Sequence, residues 1–65
     1  MALTDHDKYV IARARQLAGL VGIDAMRNHY DETDNTATFV QFTGEAKYLL
    51  GELAAITDRL GGGNA

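Results

Sequence analysis

The chain has 65 residues, enough for one small domain near the lower limit for independent folding. It has no cysteine, which removes disulfides and thiolate zinc sites as staples and leaves a partner chain as the device that completes so small a core. A net charge of −3 and a pI near 5.0 weigh against broad phosphate binding, and no apolar run nears the roughly 18 residues of a membrane span.

Met1-Ala2-Leu3 leads directly into Thr4-Asp5-His6-Asp7, without the basic and apolar regions of a signal peptide, so a cytoplasmic protein is expected. Thr4, Asp5 and Asp7 read as a helix start, with a hydroxyl to cap open N–H groups and carboxylates at the positive end of the dipole. Val10, Ala14, Leu17 and Val21 then recur at spacings of four, three and four, with Ile11 and Ala18 widening the stripe. Leu3 and Asp7 hold earlier positions of the same register. Carried on in phase, Ile23, Met26 and Tyr30 would point almost opposite, so the chain must turn at Gly19 or Gly22. Asp24 is expected to cap a short connecting helix that ends near Tyr30 and buries those three residues.

Asp31-Glu32-Thr33-Asp34-Asn35 is a polar loop, and Asp34 or Asn35 is placed to cap the last helix. That helix is expected over 36–60, roughly 37 Å long. Phe39, Phe42, Ala46, Leu49, Leu53, Ile56 and Leu60 follow one another at alternating spacings of three and four, the a/d pattern of a helical seam. Residues 36–42 alone favour a strand, and pairing them with 26–30 gives the alternative, an α-β-β-α fold with a hairpin at 26–42. Both phenylalanines stay in helical phase with the later seam, and Gly44 and Gly51 fall on the face farthest from it. These points favour the all-α reading: a helical hairpin with a long C-terminal helix and a short connecting helix. One domain at 1–60 and a flexible Gly-rich tail at 61–65 follow. Because Leu50, Leu20 and Tyr9 lie outside the two stripes, a dimeric four-helix-type bundle is expected to cover them, with Val10, Leu17 and Val21 joining the seam.

The chemical signatures are weak. His6 stands among residues that capping already explains, and His29 with Asp31 and Asp34 matches no zinc spacing. A calcium loop started at Asp31 would have Thr36 where glycine belongs and Phe42 where a bidentate glutamate belongs. Serine is absent along with cysteine, and no glycine-rich loop precedes a helix. No catalytic residue, metal, cofactor or small-molecule substrate is therefore expected. The expected function is a non-enzymatic protein-interaction module (accessory subunit, regulator or inhibitor) that binds itself and another protein through helix–helix contacts. Tyr48, Gly51, Glu52 and Arg59 on the outer face of the last helix, with Tyr9 and Arg13 on the first, are the candidate contacts. The alternative is a small dimeric DNA-binding regulator with a divergent helix-turn-helix, using Arg27, Asn28 and His29 supported by Arg13 and Arg15. Asp24, Asp31 and Glu32 would then face the phosphates, which disfavours it.

Overall fold

A computed structural model describes residues 2–61, which form three helices and, among the described residues, no strand. Helix α1 (Asp5–Ala18) begins at a reciprocal capping box. The Asp7 N–H donates to Thr4 Oγ1 at 3.0 Å and the Thr4 N–H donates to Asp7 Oδ2 at 3.0 Å, so two otherwise open donors are satisfied. The helix stops at Ala18, with Gly19 as its C-cap. Val21 therefore does not join the stripe: it falls in the turn and is 83% exposed.

The change of direction is made at Gly22, whose φ of +87° is a conformation that L side chains rarely adopt. Gly22 is also the N-cap of helix α2 (Ile23–Tyr30), which has no side-chain cap. Asp24, expected as that cap, lies inside the first turn instead and pairs with Arg27. Helix α2 ends at Asp31 in the left-handed region, φ 52°. In the loop that follows, the Glu32 carboxylate accepts from the N–H groups of Thr33 and Asp34 at 2.9 and 3.2 Å. Asp34 then caps helix α3 (Asn35–Gly61), its Oδ2 accepting from the Ala37 N–H at 2.7 Å. Gly61 belongs to this helix, and the rest of the expected 61–65 tail lies outside the described residues.

The strand alternative for 26–42 is overturned, because 23–30 and 35–42 are both helical. At 27 residues, α3 measures about 40 Å against about 21 Å for the 14 residues of α1. Helix α1 runs antiparallel along the C-terminal half of α3, and α2 lies against its N-terminal part. Both shorter helices pack on α3 and not on each other. The core is a single cluster of Val10, Leu17, Leu49 and Ile56, with Leu20, Phe42, Ala46 and Leu53 packed against it. Leu20, expected to be exposed in an isolated chain, is thus partly covered.

Candidate interaction surface

The expected seam and the observed core differ by a rotation. An ideal straight helix drifts about 20° per heptad against a 3.5-residue repeat. Along Phe39, Ala46, Leu53 and Leu60 the drift sums to about 60° over three heptads. The Ile56 end of the seam meets α1, whereas the Phe39 end turns away from both shorter helices. Phe39 is accordingly 50% exposed, and the residue buried at that level is Thr38, fully enclosed, with its hydroxyl donating to the Asp34 carbonyl at 2.7 Å. Leu60, one residue before the end of α3, is also exposed because only the first turn of α1 stands beside it.

One edge of the α1/α3 hairpin is closed by charge. Glu45, Glu52 and Arg59 recur every seven residues on α3 and face α1. Arg13 donates through two guanidinium nitrogens to the two oxygens of the Glu45 carboxylate, one of them at 3.1 Å. The Tyr30 hydroxyl donates to the same carboxylate at 2.7 Å, so Glu45 ties both shorter helices to the long one. His6 Nε2 lies 2.6 Å from Glu52 Oε1, and Arg59 donates to Asp7 Oδ2 at 2.6 Å. The Arg13 hydrogen bonds hold the Glu45 carboxyl below its usual range, with smaller help from Tyr30. Asp7 is lowered chiefly by the Thr4 backbone N–H, and Arg59 adds to it. Burial and then the Glu45 contact push the Tyr30 phenol up to about 12.

The α3 side of the opposite edge carries no charge, while Arg15 and Lys8 flank it on α1. Seen down α3 at about 100° per residue, an arc of about 120° holds Phe39, Phe42, Ala46, Leu50, Leu53 and Thr43 and not one Asp, Glu, Lys or Arg. The first charges beyond it are Lys47 and Asp58. Leu50, in the middle of this arc, is 66% exposed. Ala14 and Ala18 of α1 continue the apolar floor, and the edge opens as a groove of about 210 Å³ between the two helices. A second concavity at Thr36, Phe39 and Val40 extends it towards the start of α3. Leu50 was legible as lying outside the stripe, and Ala14 and Ala18 as part of the stripe on α1, but not that they would line one open groove.

The expected contact residues divide. Tyr48, Gly51 and Tyr9 point outward, unengaged by the core, whereas Glu52, Arg59 and Arg13 are held in the ion pairs that close the hairpin. The expected DNA-reading set, Arg27, Asn28 and His29, lies on α2. Arg27 is bound to Asp24 and to Asn35, Asn28 is exposed, and His29 is turned partly inward with its ring edge-on to Tyr30 at 4.6 Å. A helix-turn-helix needs two helices packed across their turn, and α1 and α2 are not packed together. Among the described residues no group of three or more His, Cys, Asp or Glu side chains could hold a metal ion, and no helix is long and apolar enough to cross a membrane. No family model, curated protein or solved structure matches this chain.

Proposed function

We propose that this chain is a non-enzymatic protein-interaction module of the cytoplasm, acting as an accessory subunit, regulator or inhibitor through helix–helix contacts. The observation that carries the reading is the apolar edge centred on Leu50, bordered by an edge of the same hairpin whose charges are all engaged. A contiguous apolar patch rimmed by polar residues is the usual mark of a surface that another protein covers. The pattern of anchors along α3, with Phe39, Phe42, Ala46, Leu50 and Leu53 at helical spacing, suits a partner helix laid along the groove.

A photoreactive amino acid placed at Leu50 tests the reading in cells of the source organism. The expected result is one or a few discrete covalent adducts from position 50, and none of the same adducts from position 48 on the other side of α3. Adducts that are absent from position 50, or identical from both positions, would reject it.

A further inference from the structure

We propose that the occupant of the apolar edge is a second copy of this chain, with the two α3 helices antiparallel across a twofold axis near Leu50. The inference rests on the interaction reading above and names its partner. The first support is area. The chain exposes 4610 Å², where a folded monomer of 7.0 kDa is expected to expose about 4,000 Å². The radius of gyration is likewise 14.1 Å, against about 11 Å for a compact chain of this length. Both excesses belong to an elongated chain whose apolar edge nothing within the single chain covers, Leu50 and Phe39 being 66% and 50% exposed.

The second support is the order of side chains along the edge. A twofold interface must be complementary to itself, so residues equally far from the axis on either side meet across it. About Leu50, Ala46 of one copy meets Leu53 and Ala54 of the other, and Phe39 meets Leu60 and Gly61. Large side chains thus face smaller ones, and Leu50 faces itself. A parallel arrangement would instead stack Phe39 on Phe39 and Ala46 on Ala46, with overpacking at one level and a gap at the next.

The third support is charge at the rim. Lys47 and Asp58 are the first charged residues beyond the arc. Antiparallel pairing about Leu50 brings Lys47 of one copy within about 8 Å, along the axis, of Asp58 of the other, a span that the two side chains bridge. Parallel pairing would put Lys47 of one copy and Asp58 of the other on opposite sides of the contact, where they do not meet. The charges therefore favour the antiparallel direction.

Sedimentation of the purified chain, with Leu50→Asp and two cysteine variants, tests the assignment. The wild type is expected at twice the 7.0 kDa chain mass at micromolar concentration. Leu50→Asp is expected at the single-chain mass with its helical circular dichroism retained. In a protein with no cysteine of its own, Leu50→Cys should form an interchain disulfide about tenfold or more faster than Ala55→Cys on the far side of α3, because facing thiols are at high effective concentration. This arm decides the matter even where Leu50→Asp fails to fold. A wild type that stays at the single-chain mass overturns the second copy as occupant, as does an Ala55→Cys variant that cross-links as fast as Leu50→Cys. Heavier, heterologous adducts from a photoreactive position 50 in that case would leave the interaction reading standing without this partner.

Discussion

The two edges of the α1/α3 hairpin are made from the same pair of helices and differ in nearly everything else. On one, Glu45, Glu52 and Arg59 of α3 each find a partner on α1, and the three contacts index one helix against the other along most of α1. On the other, alanines of α1 face leucines and phenylalanines of α3 across an open groove. Ion pairs that keep some access to solvent contribute modest stability one at a time. What they supply is register and exclusion, since a charged edge resists being covered by an apolar surface. The contrast teaches that one hairpin can keep its paired charges on one edge and leave the other apolar and open.

Substitutions can test that contrast, beginning with the row of side chains that both edges share. Leu49 is buried between them, and Leu49→Ala should cost about 3 kcal/mol by loss of buried surface and creation of a cavity. A core of this size supplies only a few kcal/mol in all, so thermal and chemical melts of the variant should show a chain largely unfolded at room temperature. On the closed edge, Glu45→Ala removes the acceptor shared by Arg13 and Tyr30 and should cost about 1–2 kcal/mol in urea titration. A loss no larger than that of an ordinary surface substitution would show that the charged edge contributes no stability.

The closed edge should also respond to pH, with opposite signs at the two ends. Glu45 and Asp7 titrate below their ordinary values of 4.5 and 3.8. Their contribution is complete above those values and disappears as pH falls through the lower folded ones. Tyr30 is raised from 10.0 to about 12, so its contribution is complete below 10 and disappears as pH rises through about 12. Melting temperature should fall at both extremes, with Glu45→Gln flattening the acid limb and Tyr30→Phe the alkaline one. Limbs unchanged in those variants would assign the pH dependence to other groups. The smallest effect belongs to the solvated back of α3. An added Cβ at Gly51 meets nothing within 4 Å, so Gly51→Ala should raise stability by about 0.5–1 kcal/mol through helix propensity. A loss on that substitution would reveal a close contact at Gly51 and mark the outer face around Tyr48 as a covered surface.

The start of α1, the turn at Gly19–Gly22 and the loop before α3 were legible because each is signalled by chemistry within a few residues. The long helix was legible because Phe39 and Phe42 share a phase with the residues after them. Which part of the seam is buried was not legible. The 3.5-residue repeat is a feature of the sequence, whereas the straightness of α3 and the shortness of α1 decide how far that repeat wanders across the surface. Thr38, buried in place of Phe39, is the clearest case. The row Glu45, Glu52, Arg59 did carry a signal, in its seven-residue spacing beside the seam, and Asp7 in the first stripe carried another. Neither identified its partner, because pairing across 46 or 52 residues of chain depends on the hairpin register.

That α1 and α2 touch α3 and not each other has a consequence for how the chain assembles. The α2/α3 corner closes through a four-residue loop, so its contacts are near in sequence and form early, while α1 must return across the length of both helices to reach residues 45–59. The first helix is then expected to dock last. The order of opening follows burial instead: α2 buries no residue, so its amides should exchange with deuterium ahead of those of α1 and of the middle of α3. Undocking of α1 would uncover Leu49 and Ile56 together with Val10 and Leu17, so loss of the first helix is expected to coincide with complete unfolding.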